Sequence, residues 1–188
     1  MAKGGTYGIS TVTIAPPVVG GFPTAWTGEG TFSFKAIVRD SVSFNDTAPS
    51  DNDLYVEEND DIYATLKSDE GTKGFTLDTY DLSQESYIAL AGFSTSTEGT
   101  GADAVTWVTE PTKQDPLIKA VQIVTRELDD FPSKTFQWAK MRIAVTKAGT
   151  IGKSGFPNFH LEFKQLANMG ANGEAVSGHR WKNNPSNA

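Results

Sequence analysis

The side chains best suited to acid–base or metal chemistry are two histidines. His160 alternates with Glu162 and Lys164 in a pattern that predicts the polar face of a strand, and His179 stands beside Arg180 near the end of the chain. A catalytic base needs a held geometry, and a zinc site needs further nitrogen or sulfur ligands nearby. Neither histidine has such neighbours in the sequence. The chain also has no cysteine, which excludes thiolate nucleophiles and cysteine-ligated zinc.

A dense acidic segment is the second candidate for chemistry. Residues 45–61 contain no lysine or arginine, and their carboxylates are Asp46, Asp51, Asp53, Glu57, Glu58, Asp60 and Asp61. Calcium is one hypothesis, because hard cations bind several carboxylate oxygens. The segment lacks the glycine that a helix–loop–helix calcium loop needs at its sharp turn. The sequence therefore favours a long acidic surface loop or hairpin arm.

Two other patterns resemble known sites only in part. Gly152-Lys153-Ser154 matches the end of a phosphate-binding loop, but Lys147 stands where that motif needs glycine, and Pro157 follows where a helix should begin. We expect a hairpin turn there. The spacing of the Asp and Glu residues does not identify a pair suited to sugar hydrolysis. The Gly-x-Ser-x-Gly motif of serine hydrolases is also missing. These observations predict a protein that is not an enzyme and uses no cofactor or metal.

Composition narrows the class of protein further. The 188 residues carry a net charge of −7, which argues against a protein that reads nucleic acid. Residues 1–94 contribute −9 and residues 95–188 contribute +2, so the two halves could attract each other between copies. No apolar stretch approaches the roughly 20 residues of a membrane helix. The N-terminal residues show no signal-peptide pattern, so we expect synthesis in a cytoplasm and no membrane partner.

The elements that would position these residues are mostly strands. Period-two alternation predicts strands over Tyr7–Ile14 and Thr31–Phe44, among others, and three long late strands. One helix is predicted over Leu82–Ala91, with Asp81 as its cap and Gly92 as its stop. The predicted fold is mainly β, an antiparallel sandwich or partly closed barrel in one domain, 1–188, with an arm at about 45–61 and a polar tail at about 168–188.

This order of parts resembles the tail tube, or major tail, proteins of long-tailed bacteriophages. The resemblance rests on the glycine- and proline-rich start, the long strand with its arm, the segment Gly74-Phe75-Thr76-Leu77-Asp78 followed by the helix, and a late strand, Phe159–Ala167. It implies hexameric rings that stack into a hollow tube, through which the genome passes without specific binding. The implied partners are further copies and other tail proteins: tape measure, tail terminator, and baseplate or tip. The implied location is the virion.

Interface residues are expected in the arm and the tail. Loops of about 15 residues without their own structure are uncommon unless they are functional or disordered. We therefore predict assembly contacts at the arm residues Asp51, Asp53, Tyr55, Glu57, Glu58, Asp60 and Asp61 and at the tail anchor Trp181. A tube that passes DNA should have a negative lumen. Lys140, Arg142 and Lys164 are then expected to pair with acids or to lie at interfaces.

Two other classes of protein stay open. A carbohydrate-binding or other non-catalytic β-sandwich module would use exposed aromatic side chains, and the chain offers Trp26, Trp107, Trp138 and Trp181. Packing in a core or an interface is the simpler explanation of these rings. A β-sandwich hydrolase is disfavoured, because nucleophile and metal motifs are missing.

Overall fold

The computed structural model describes residues 7–56, 59–69, 71–113, 115–128, 131–152 and 155–185. These residues form a mainly β, antiparallel fold, and they contain one α-helix, α1 (Gln84–Ala91), which confirms the predicted fold class. The strands, in chain order, are β1 (Tyr7–Ala15), β2 (Phe32–Ser33), β3 (Ser43–Phe44), β4 (Ser50–Val56), β5 (Asn59–Asp69), β6 (Gly74–Thr79), β7 (Ser94–Glu98), β8 (Val105–Thr109), β9 (Leu117–Arg126), β10 (Lys134–Ala148), β11 (Asn158–Gln165), β12 (Asn168–Met169), β13 (Ala175–Val176) and β14 (His179–Asn183).

One large sheet carries the core. Its strand order is β2-β1-β9-β10-β11-β6-β3, and β14 pairs with β10 beside this path. The 15-residue β10 shares one side between two partners, because β14 pairs with its first part and β11 with its last part. Phe34, just after β2, has its ring 6.4 Å from that of Phe163 in β11. The sheet therefore curves so that one face encloses the core.

The core follows from the alternation of apolar residues along these strands. Its buried members are Val12, Ile14, Phe34, Phe75, Leu77, Leu90, Val121, Ile123, Trp138, Met141, Ile143, Phe159, Leu161 and Phe163. Phe75 stacks on Phe163 at 4.3 Å and lies 5.0 Å from Trp138, measured between ring centroids. Each large apolar side chain contributes about 1.5–3 kcal/mol when fully buried.

The prediction of one strand over Thr31–Phe44 is wrong. Only β2 and β3 are strands in this stretch, and the residues between them cross from β1 to β6 in an irregular path. Ala36 and Asp40 have positive φ angles of 50° and 60°, which non-glycine residues of a regular strand do not adopt. Polar contacts hold the path to β6: Thr79 Oγ1 donates to the carbonyl of Lys35 at 2.6 Å, and Tyr80 N donates to that of Ala36. The described strands therefore do not close into a barrel, which suits a sandwich.

The helix lies where the sequence predicts it, but its first residue and its cap differ from the prediction. It begins at Gln84, and Ser83 is the cap, because the Ser83 hydroxyl accepts from Ser86 N at 3.3 Å. Asp81 instead accepts from Ser83 N at 3.2 Å and so holds the cap residue. Gly92 ends the helix in the left-handed conformation, φ 65°, as predicted.

Three small two-stranded sheets lie apart from the main sheet: β4–β5, β7–β8 and β12–β13. The acidic segment is thus a β-hairpin rather than a loop, and it extends past the predicted end at 61 to Asp69. The segment predicted as a polar tail contains β12, β13 and β14. Because β14 is hydrogen-bonded along β10 from Lys134 to Trp138, Trp181 belongs to the main sheet and not to a flexible tail.

Candidate functional site

The acidic arm, defined here as β4 and β5 (Ser50–Asp69), is a ribbon with two different faces. Leu54 pairs with Ala64, and Asn52 pairs with Leu66, which places apolar side chains on one face. Asp53 pairs with Thr65 on the other face, where Thr65 Oγ1 donates to Asp53 Oδ1 at 2.7 Å. The register shifts beside Tyr55, which pairs with Ile62. The arm is therefore amphipathic.

The apolar side chains of the arm face solvent. Leu54, Tyr55, Ile62 and Leu66 are all exposed, with Leu66 at 54% and Tyr55 at 62%. An isolated two-stranded hairpin is marginally stable in water, because it buries too little apolar area. The arm of one copy thus lacks the packing that would stabilise it.

The root of the arm is held firmly. Thr47 N donates to the carbonyl of Thr72 at 2.8 Å, and Thr72 N donates to Thr47 Oγ1 at 2.7 Å. Gly74 N donates to Asp46 Oδ1 at 3.1 Å. Gly71 has φ 72° and no room for a Cβ against the Thr47 carbonyl. These contacts fix where the arm leaves the main sheet.

The predicted interface residues fall into two places. Asp51, Asp53 and Tyr55 are exposed on β4. Asp60 and Asp61 belong to β5, although their side chains lie outside the description, and Glu57 and Glu58 lie outside the described residues altogether. Trp181 is on β14, 57% exposed, with Lys134 Nζ 5.2 Å from its ring centroid. The arm residues thus share one ribbon, and Trp181 belongs to a separate surface.

His179 lies in an aromatic stack, which the sequence did not reveal. Its ring is 4.8 Å from the ring of Trp138 and 6.4 Å from that of Phe136, between centroids. Burial lowers the pKa of His179 below its ordinary value of 6.5, and the charge of Lys73 adds to this effect against an opposing pull from Asp46. Its Nε2 is buried without a hydrogen-bond partner among the described residues. A neutral imidazole that packs as an aromatic ring fits this environment.

His160 lies on the outer face of β11, as predicted, but it is not merely solvated. Its Nδ1 is 2.6 Å from Asp78 Oδ1 on β6, and its Nε2 is 3.9 Å from Glu162 Oε1. The histidine and Asp78 are both about one-third exposed. A histidine–carboxylate pair orients an imidazole for catalysis only where a nucleophile or substrate site adjoins it. Neither His160 nor Asp78 lines either of the two clefts identified among the described residues, and a cross-strand contact explains the pair.

A basic cleft lies at the root of the arm, and no sequence pattern indicates it. The cleft encloses about 380 Å³ and is lined by Gly71, Thr72, Lys73, Lys164, Gln165, Leu166, Ala167, Asn168, Ala175, Val176 and Gly178. Arg142 stands directly opposite Lys164 in the β10–β11 ladder, and Lys140 lies two residues before Arg142. We call Lys73, Lys140, Arg142 and Lys164 the basic patch. Within the described part of the chain, no ion pair joins any of these four to a carboxylate.

Other exposed apolar side chains mark the opposite end of β10. Ile151 and Phe156, in the turn between β10 and β11, are 93% and 79% exposed. Gly152 and Gly155 pair across this turn, which confirms a hairpin in place of a phosphate loop; Lys153 and Ser154 lie outside the described residues. Trp107, on β8, is exposed, and its Nε1 donates to Glu98 Oε2 at 3.2 Å.

The described residues offer neither a metal-binding cluster nor a membrane-spanning helix. These residues contain no group of three or more His, Asp or Glu side chains that could hold a metal ion. None of their helices has the length and apolar character needed to cross a membrane.

Comparison with known proteins adds no relative. No protein-family model matches the chain, and the curated protein sequences contain no match to it.

Proposed function

We propose that this chain is a structural virion protein that assembles into stacked hexameric rings and forms the tail tube of a bacteriophage. In this proposal the tube conducts the genome, no side chain acts as a catalyst, and tape-measure, terminator and baseplate or tip proteins contact its ends. The order of parts supports it, as do an antiparallel fold and a projecting arm in the expected place.

The observation that carries the proposal is the amphipathic arm. Its apolar face is exposed in one copy, and an exposed apolar surface of this kind marks a contact with another molecule. Its other face carries Asp53 and also Asp51, which stands opposite Lys67, while residues 95–188 have a net charge of +2. A surface that fits a different surface on the next copy makes a head-to-tail contact, and such contacts build rings or filaments.

Self-association is the decisive test. Purified protein should sediment as rings or tubes as its concentration rises, and negative-stain electron microscopy should show hollow particles with sixfold end views. A monomer at high concentration across several salt concentrations would reject the proposal. Particles without a central channel would reject the tube while keeping self-assembly.

A carbohydrate-binding module is the second candidate, and Trp107 is the observation that favours it. An exposed indole beside a carboxylate can stack on a sugar ring while the acid accepts hydroxyl hydrogen bonds. Retention on immobilised glycans that is lost in Trp107→Ala would support this candidate. Unchanged elution of both proteins would reject it.

A further inference from the structure

The basic patch has an unusual arrangement for a surface that only faces water. Arg142 and Lys164 are direct cross-strand partners, and both are exposed. Like charges directly opposite each other in an antiparallel pair are destabilising. Lys73 is a third exposed cation, and it lines the same cleft as Lys164. A fold that places cations together in this way gains stability when an anionic group enters between them.

Within the described part of the chain, no carboxylate on this face of the sheet forms an ion pair with the patch. Glu162 is on the same face of β11 as Lys164, but its carboxylate lies 3.9 Å from His160, and within the described residues no ion pair joins it to Lys164. Asp78 is held by His160 at the far end of the face. The outer face of β11 is therefore divided into an acidic end, near Asp78, and a basic end, at the cleft.

The arm has the complementary charge. Ser50–Asp69 contains seven carboxylates and one lysine, whereas Phe131–Gly152, which includes β10, contains four basic residues and no acid. The arm also begins beside the cleft, because Gly71, Thr72 and Lys73 belong to both the arm root and the cleft lining. Each copy therefore presents the acidic ribbon and a basic receptor for it side by side, which suits a contact that repeats from copy to copy.

We propose that the basic patch, Lys73, Lys140, Arg142 and Lys164, is the docking site for the acidic face of the arm of a second copy. Asp51 and Asp53, on the face opposite Leu54 and Leu66, enter the cleft. The apolar face then remains for a further neighbour, so that one arm contacts two copies. This inference rests on the proposed self-assembly, and it names the surface that receives the arm.

Charge reversal on each side tests the pairing. Asp51→Lys with Asp53→Lys, and Arg142→Glu with Lys164→Glu, should each raise the protein concentration needed for assembly about tenfold or more, because like charges then face each other. The combination of all four changes should restore assembly. Reversal of the two arm charges changes the net charge from −7 to −3. If assembly depended only on overall repulsion between copies, this smaller net charge would favour assembly, which is the opposite of the result expected here.

Control variants separate this pairing from general charge effects and from misfolding. Lys113→Glu with Lys182→Glu changes the net charge by the same amount as the patch reversal, at two exposed sites elsewhere, and should assemble normally. Because the chain has no cysteine, Asp53→Cys with Lys164→Cys gives an independent readout, a disulfide between copies under oxidation. The variant Ala64→Cys with Lys164→Cys, in which residue 64 lies on the apolar face of the arm, should form little of this disulfide.

The outcomes are distinct. Loss on each reversal, rescue by the combination and the Asp53–Lys164 disulfide would support the inference. Normal tubes from either charge-reversal variant would overturn the inference and leave the proposed function standing. A disulfide that forms in Ala64→Cys with Lys164→Cys but not in Asp53→Cys with Lys164→Cys would do the same. DNA binding by parental tubes that disappears in Arg142→Glu with Lys164→Glu would assign the patch to phosphates instead. A parental chain that stays monomeric would reject both proposals.

Discussion

His179 is the residue whose environment has the clearest consequence in solution. Its pKa is lowered mainly by burial. Below pH 6.5, His179 therefore binds a proton in the unfolded chain more readily than in the folded chain. The unfolded state then binds more protons, and the stability of the fold declines as the pH falls toward the folded-state pKa. We predict that His179→Phe, which keeps an aromatic ring against Trp138, loses less stability between about pH 7 and pH 5. Melting temperatures of both proteins at the two pH values decide this, and equal declines would contradict it.

His160 should matter little, despite its short contact with Asp78. Partly exposed ion pairs contribute about 0–1 kcal/mol, and the contact spans two strands that a full backbone ladder already joins. His160→Ala should therefore unfold at nearly the parental urea midpoint and form normal tubes. If the variant lost a measurable catalytic activity, the view that this chain is not an enzyme would be wrong.

The sequence predicts the strand face on which these residues lie better than it predicts the residues that they contact. The alternation of His160 with Glu162 and Lys164 correctly placed all three on one polar face. The contact of His160 with Asp78 could not be predicted, because these two residues are 82 positions apart in the sequence and meet only through the pairing of β11 with β6. For the same reason the sequence does not show that Lys73 joins Lys140, Arg142 and Lys164, because Lys73 and Lys164 come together only through tertiary structure. His179 falls in the predicted polar tail, because pattern alone does not show that β14 pairs with β10.

The helix is the element whose start the sequence placed incorrectly, and its cap can be tested directly. Ser83 satisfies a backbone donor of the first turn, and its loss should destabilise the protein by about 1 kcal/mol, within the usual range of 0.5–2. Ser83→Ala should therefore lower the free energy of unfolding by more than Asp81→Asn, which keeps an oxygen acceptor for Ser83 N. The measurement is urea unfolding of both variants. A larger loss in the Asp81 variant would favour the cap predicted from sequence.

The crossing segment between β2 and β3 shows why the long predicted strand failed. Its alternating Phe32, Phe34, Ala36 and Val38 is a strand pattern, and Phe34 is indeed buried. Hydrogen bonds from Thr79 and Tyr80 to the carbonyls of Lys35 and Ala36 draw the chain out of the ladder and across to β6. Such long-range contacts override a local preference, which is weak and context-dependent for strands.

The arm is the element on which assembly is expected to depend. Replacing residues 48–71 with Asn-Gly would join Thr47 to Thr72, which already pair across the root, through a favoured two-residue hairpin turn. We predict a folded monomer with a melting temperature close to that of the parent, because the arm packs little against the core. It should no longer form tubes in sedimentation or electron microscopy. Normal tubes from this variant would reduce the arm to a solvated hairpin.

At the scale of the whole molecule, charge must be arranged so that a conduit does not hold its cargo. Cations that face a lumen would attract phosphates and slow the genome, whereas carboxylates keep water between wall and DNA. The chain has 23 acidic and 16 basic residues, but the described residues of one copy form no ion pair with the basic patch. If the arms of neighbouring copies cover that patch, as inferred above, the tube has a net negative lumen and its bases lie at interfaces.

This arrangement predicts opposite behaviour for the tube and for the armless monomer. Assembled tubes should not bind duplex DNA even at low salt. The variant with residues 48–71 replaced by Asn-Gly loses the acidic ribbon and leaves the basic patch uncovered, so it should bind DNA weakly at low salt and release it as salt rises, because each neutralised phosphate frees counterions. Fluorescence anisotropy with a labelled duplex over a salt series measures both. Arg142→Glu with Lys164→Glu in the armless variant should abolish the binding. Tight, salt-sensitive binding by intact tubes would refute the negative lumen even if the tubes themselves are real.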